Sequence, residues 1–327
     1  MKAAVYERYG PPDVVSVKDV PSPEPGPKDI LVAVHATTVN TADWRFRAAA
    51  FPGIMALPGR LMAGVLGPRQ KILGGEFAGV VAAVGSEVRR FKTGDAVFGF
   101  SGQRAHAEYV VMPAEGAVAM KPPNLSFADA AAVPFGASAA LGFLRDFAKV
   151  APGERVLVIG AAGGVGVYAV QLARHFGAEV DGVCGTANVE LVHSLGATRV
   201  FDYQREDFRT GGETWNVILD PVGRTAFSDC RKVLRTGGRH VFLEFGLTEI
   251  VQALTTSLGG ERKVVIGISG DTRKDLEFIA ALLAAGDIRP VIDGIYPIDR
   301  IAEAHARVES RHKRGSVVVA VAEPGGS

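Results

Sequence analysis

Apolar positions recur with two different periods along this chain, and the change of period divides it. Up to about residue 120 they come in short runs punctuated by turn residues, which predicts strands over 3–9, 14–20, 30–39, 80–84, 96–100, 107–113 and 117–121. Between the second and third runs lies Pro21-Ser22-Pro23-Glu24-Pro25-Gly26-Pro27, whose prolines supply no ladder donors, so this piece is a surface loop. The first part therefore reads as all-β, a small barrel. Residues 45–72 interrupt it with small, apolar, Gly/Pro-punctuated sequence such as Phe51-Pro52-Gly53 and Leu61-Met62-Ala63-Gly64, either a mobile lid or a core loop.

From Asn124 the period becomes helical. Ser126 caps a helix through Ala132, and a second helix is expected near 137–150. The apolar run Arg155-Val156-Leu157-Val158-Ile159 then meets Gly160-Ala161-Ala162-Gly163-Gly164-Val165-Gly166 and restarts as a helix whose apolar face is Val167, Val170, Leu172, Ala173 and Phe176, closed by Gly177. A buried strand over 178–184, a short helix over 188–195 and a third strand over 199–203 complete a βαβαβ unit, the dinucleotide half-fold. Further on come a strand over 215–220, a helix over 225–234, strands over 240–245 and 264–269, and a helix over 271–285. The tail reverts to strand 288–296, helix 299–310 and strand 316–321, expected to pack back on the β domain. The domains are thus expected at 1–122, completed by 286–327, and at 123–285. The fold class is α/β, a GroES-like β-barrel domain plus a Rossmann doubly wound parallel sheet.

The strand–turn–helix at 155–166 carries the first chemistry. Small residues let backbone N–H groups approach a pyrophosphate resting on the helix N-terminus, and side chains at the glycines would hold it away. The spacing is G-x-x-G-x-x-G, one residue longer than the strict fingerprint.

Length, at 327 residues, suits two domains. A formal charge of +1 gives no electrostatic footprint for nucleic acid or an acidic membrane surface. Cys184 and Cys230 are the only cysteines, which suits two reduced thiols in a cytoplasmic protein. The N-terminus has no apolar signal core, and no stretch of about 18 apolar residues occurs.

The order of elements, together with Val39-Asn40-Thr41-Ala42-Asp43-Trp44, Leu73-Gly74-Gly75-Glu76-Phe77-Ala78-Gly79, residues 130–134, Gly160 to Gly166 and Gly315-Ser316-Val317-Val318, resembles the medium-chain dehydrogenase/reductase superfamily over essentially the whole chain. Its zinc alcohol dehydrogenases place a Cys where Asn40 stands and a Gly-His-Glu where this chain has Gly74-Gly75-Glu76; their four-cysteine structural loop is also missing. The resemblance therefore implies the zinc-independent quinone oxidoreductase and enone reductase branch, with no metal site. In that branch a hydride passes from a nicotinamide to a quinone or to the β-carbon of an α,β-unsaturated carbonyl. The branch's Asn-Pro-Val-Asp becomes Asn40, Thr41, Ala42 and Asp43, and a Tyr often found two positions beyond is Arg45. On this likeness Asn40 bonds near the substrate oxygen or the nicotinamide ribose, Trp44 is an apolar wall, and Asp43 is either catalytic or a structural acceptor.

For NAD a carboxylate is expected at the end of the second strand, where the family alignment places Cys184. Asp181 lies earlier on that strand and is expected to be exposed or to face a neighbour. Without an acid at the strand end, Thr186, Asn188 and Tyr203 can donate to a 2′-phosphate, which favours NADPH, with NADH used less well. The remaining family positions for the cofactor are Ser138, Ala161, Ala162, Gly163, Gly164 and Val165 in and near the turn, Val222, Gly223, Phe245 and Gly246 after later strands, and Arg314. His35, His106, His193 and His305 have no paired ligand spacing and read as structural or surface residues. The expected partners are a small quinone or enone and a second copy of the chain, a homodimer through the apolar edge strand 264–269. The competing readings are a metal-independent alcohol dehydrogenase and a non-catalytic NADPH-binding redox sensor.

Overall fold

In the computed structural model residues 1–321 are described, and the chain forms two compact units: Met1–Phe135 with the chain from Asp271 onward, and Gly136–Gly270. Both boundaries differ from those expected at 122/123 and 285/286. Side-chain bonding explains why. Helix Phe127–Ala131 packs on strands Asp29–Val39 and Glu76–Val84, with Phe127 stacked 4.2 Å from His35. Helix Arg273–Ala285 is tied to the β elements by Arg90–Glu277 and Arg273–Glu115 ion pairs, and the Asn124 amide donates to the Leu283 carbonyl at 3.1 Å. The end of the strand pattern at about residue 120 is the end of the barrel, and these two helices cover it.

In the first unit the sheet runs Ile292–Pro297, Ser316–Ala320, Asp29–Val39, Glu76–Val84, Ala96–Phe100, Val118–Met120, with Tyr109–Pro113 also on Asp29–Val39. That long strand holds the unit together: its first half pairs with both Glu76–Val84 and Tyr109–Pro113, and its second half with the returning strand Ser316–Ala320. Its inward residues Ile30, Val32 and Val34 join Phe77, Val81, Val97, Val110 and Val118 in a buried apolar core. Residues 45–72, expected as lid or core loop, hold the end of helix Thr41–Ala48 and the whole of helix Ala56–Ala63. Leu57 and Leu66 there are 70% and 103% exposed, so the core-loop alternative fails.

In the second unit six parallel strands lie in the order Arg199–Asp202, Glu179–Cys184, Arg155–Ile159, Trp215–Asp220, Leu234–Phe242, Lys263–Ile266. The order reverses beside Arg155–Ile159, the switch point at which doubly wound sheets bind ligands. Three helices depart from expectation. The helix expected over 225–234 is only Phe227–Cys230 with a 3₁₀ turn after it, an unforeseen helix spans Leu247–Ser257, and the helix near 137–150 is Pro134–Leu141 continued as a π-helix through Gly142–Phe147.

Candidate active site

Strand Asp29–Val39 ends where helix Thr41–Ala48 begins, and Asn40 makes the join. Its Oδ1 accepts the N–H groups of Ala42 at 2.9 Å and Asp43 at 3.2 Å, while Asp43 Oδ2 accepts the Asn40 N–H at 2.9 Å. This is a reciprocal capping box, which satisfies donors that a helix N-terminus leaves open. The other Asp43 oxygen accepts the Gly74 N–H at 2.9 Å, tying the turn at 74 to the helix start. Asp43 is buried, and burial pushes its pKa up against the opposing pull of His106 and the Asn40 and Gly74 N–H groups. Both of its oxygens thus serve backbone donors.

Because the cap fixes Oδ1, the amide nitrogen of Asn40 faces the other way, and Nδ2 lies 3.4 Å from Oε2 of Glu76. The Thr38 hydroxyl donates to that same oxygen, and the Phe135 N–H donates to Oε1 at 2.9 Å. Burial raises the Glu76 pKa to about 7 against these three donors, with Asp43 adding to the rise. Glu76 was read from the sequence only as part of an altered zinc motif. A glutamate opening an otherwise apolar strand was the available signal. Trp44 is half-buried among Ile298, Ile301 and Val317, and the Arg311 guanidinium stands 5.0 Å from its ring centroid.

These residues do not suit zinc. The oxygen of Asn40 is committed to the helix cap, and a Cβ added at Gly75 would lie 2.5 Å from the Phe100 ring, so a histidine there would have to displace that ring. Among the described residues no group of three or more His, Cys, Asp or Glu side chains is placed to hold a metal ion.

The second unit suits a dinucleotide. Gly160, at φ +65°, turns the chain from strand Arg155–Ile159, and helix Gly166–His175 follows. A Cβ at Gly166 would lie 2.2 Å from the Gly160 carbonyl oxygen, so this tight turn requires glycine. Ala161, Ala162, Gly163, Gly164 and Val165 form the turn, with the Gly163 N–H donating to Gly160 at 2.9 Å. Ser138 is 2% exposed and its Oγ has no hydrogen-bond partner among the described residues, an orphaned polar atom that a bound carboxamide would satisfy.

Beyond the turn the geometry is more occupied than the sequence suggested. The Thr186 hydroxyl lies 2.6 Å from Asp202 Oδ2 and 2.7 Å from Gln204 Oε1. Asp202 ends the neighbouring strand opposite Cys184, so a carboxylate does stand beside the strand end, and Arg205 pairs with it at 3.5 Å. The Thr186 hydroxyl holds the Asp202 pKa below the ordinary value. Tyr203 is exposed, its Oη near Gly185, and Asn188 adjoins the same loop. The N–H groups of Val222 and Gly223 are both taken by Asp220 Oδ1, at 3.0 and 2.8 Å, and the Gly246 N–H by Glu249 at 2.7 Å. Phe245 packs against the sheet core. Arg314 belongs to the first unit, where its N–H donates to Asp293 at 2.9 Å.

A family model described as "Alcohol dehydrogenase GroES-like domain" matches residues 26–123, and one described as "Zinc-binding dehydrogenase" matches 195–319. The chain is 33% identical over 98% of its length, and 79% of the relative's, to a 2-methylene-furan-3-one reductase of Solanum lycopersicum. It is 32% identical to a quinone oxidoreductase of Sus scrofa, over 97% of this chain and 95% of that one. Among solved structures, the quinone oxidoreductase from Coxiella burnetii superposes with a TM-score of 0.87 at 28% identity, over 98% of this chain and 99% of that chain. The chain belongs to the medium-chain dehydrogenase/reductase superfamily, in its zinc-independent quinone oxidoreductase and enone reductase branch.

Proposed function

We propose that the protein reduces a quinone or the conjugated double bond of an α,β-unsaturated carbonyl compound with NADPH and without a metal. The observation that carries this reading is the Asn40 amide: its oxygen is locked in a helix cap, so its nitrogen is presented as a donor where zinc relatives have a metal-binding cysteine. A neutral N–H is a weaker electrophile than zinc, and it suffices where the developing charge spreads over a conjugated system. A bound nicotinamide supplies the hydride. Asn40 holds the substrate oxygen, Asp43 fixes Asn40, and Trp44 walls the site.

For the cofactor, Ser138 receives the nicotinamide end, residues 161–165 cradle the pyrophosphate, and Thr186, Asn188 and Tyr203 surround the 2′ position; Val222, Gly223, Phe245 and Gly246 complete the set in this unit. An Arabidopsis thaliana relative, 32% identical over 98% of this chain, is an NADPH-dependent alkenal/one oxidoreductase, which supports the choice of NADPH. Asp202 works against a 2′-phosphate, so NADH should also serve. A homodimer is supported by the outer strand Lys263–Ile266, which pairs only with Leu234–Phe242 among the described residues, and by the exposed stripe Leu247, Val251, Leu254 and Leu258 beside it.

The test is a screen of NADPH oxidation over small quinones and enals, with ethanol oxidation in added zinc as the contrast. Turnover of a quinone or enal and none of ethanol is expected. Ethanol turnover would favour the alcohol dehydrogenase reading, and tight NADPH binding without any turnover would favour the sensor.

A further inference from the structure

The proposal for Asn40 leaves Glu76 without a task, although among the described residues it is the carboxyl bonded to the Asn40 amide nitrogen. We infer that Glu76 is a positioning residue for the reduction: it takes one Nδ2 hydrogen of Asn40, leaves the other for the substrate oxygen, and, when protonated, keeps a negative charge away from that oxygen. The inference rests on the reading that Asn40 bonds the substrate oxygen.

The geometry is a built one. Glu76 is 2% exposed and is held from three directions, by the Thr38 hydroxyl, the Phe135 N–H and the Asn40 amide. The charged and titratable groups around it are Asp43 on the following helix, Lys313 ahead of strand Ser316–Ala320, and His106, whose Nε2 lies 2.8 Å from the Thr38 carbonyl. Lys313 is itself tied to the Gly315 carbonyl at 2.6 Å, and burial lowers its pKa. Enone reduction would add a hydride from bound NADPH to the β-carbon and a proton from solvent to the α-carbon, giving the saturated carbonyl and NADP⁺, with the π electrons drawn toward the carbonyl oxygen on the way. An ionised Glu76 beside Asn40 opposes that charge movement; a protonated one does not. With a pKa of about 7 the carboxyl holds its proton below that pH and loses it above, so reduction should slow as pH rises through 7.

The experiment measures kcat/KM from pH 6 to 9 for the full chain, with NADPH and trans-2-hexenal, or 1,4-benzoquinone if that is what the screen turns over. The unaltered protein should lose about tenfold between one unit below and one unit above the inflection. Glu76→Gln, neutral at every pH, should flatten the profile. Thr38→Val removes a donor that favours the ionised form, so its inflection should move to higher pH. A Glu76→Gln profile superimposable on the unaltered one would overturn the inference. So would an unmoved inflection in folded Thr38→Val, which also decides the matter if Glu76→Gln does not fold. Asn40→Ala separates the two levels: a normal rate there refutes the role of Asn40 itself, whereas a collapsed rate beside an unchanged Glu76→Gln profile refutes only the role of Glu76.

Discussion

Asp181 lies on the strand whose end should select the cofactor, and its surroundings make a quantitative prediction. Its side chain is fully buried; Oδ2 accepts the Trp215 indole N–H at 2.8 Å and pairs with Arg155 Nη2 at 2.8 Å. Replacing it with alanine strands the indole N–H and a guanidinium only 19% exposed. Breaking a buried pair from one side costs about 3 to 5 kcal/mol. Arg155 retains Glu179 at 3.6 Å, which places Asp181→Ala near the lower end, at about 3 kcal/mol. For a unit of this size each kcal/mol is worth about 3 °C, so Tm should fall by about 10 °C. Asp181→Asn keeps an acceptor for the indole and should cost about half as much. Urea and thermal unfolding followed by tryptophan fluorescence measure both, with Trp215 as the buried reporter. Since the carboxyl faces Trp215, neither variant, once folded, should change the ratio of kcat/KM for NADPH to that for NADH. A loss below about 1 kcal/mol, or a tenfold change in that ratio, would refute the assignment of Asp181 to the core.

Asp202→Asn removes the carboxylate beside Thr186 and should raise the NADPH-to-NADH ratio about three- to tenfold, kept modest by the Arg205 pairing and by salt; an unchanged ratio at low ionic strength would place the 2′ position elsewhere. Val251→Glu with Leu254→Glu should turn a dimer into a monomer at micromolar concentration by charging the exposed stripe, and light scattering that finds the same mass for both proteins would reject that surface.

The second unit was legible in the sequence because its signals are local. The run from Arg155 to Ile159, the turn at Gly160 and the helix that follows each announce themselves within about ten residues. Where those signals misled, a specific side-chain contact intervened. Asp220 gathers the N–H groups of Val222, Gly223, Arg224 and Thr225, so the chain stays in a loop where a helix was expected to start. The strand expected to reach Ser269 stops at Ile266; at the next residue, Gly267, an added Cβ would lie 2.4 Å from the Phe147 ring. Helix Leu247–Ser257 is unusual in another way: its apolar stripe of Leu247, Val251 and Leu254 has ordinary amphipathic spacing but faces outward.

The site was legible only in part, and for a different reason. Asn40 and Asp43 could be found from a motif, but their bonding depends on Gly74 and Glu76, more than thirty residues away and brought near by the pairing of strands Asp29–Val39 and Glu76–Val84. The same pairing shows why this centre is more than a zinc site that lost its ligands. Asparagine at 40 builds the helix cap with its oxygen and presents its nitrogen; a cysteine in its place would forfeit a cap worth about 1 kcal/mol. Glycine at 75 lets Phe100 fill the space that a histidine ligand would need. Restoring either ligand therefore disturbs an arrangement that the helix start and the strand packing already use, and restoring both disturbs two of them at once. Asn40, Gly75, Phe100 and Glu76 form one mutually fitted set, in which hydrogen bonding and ring packing occupy the space that a metal and its ligands would need.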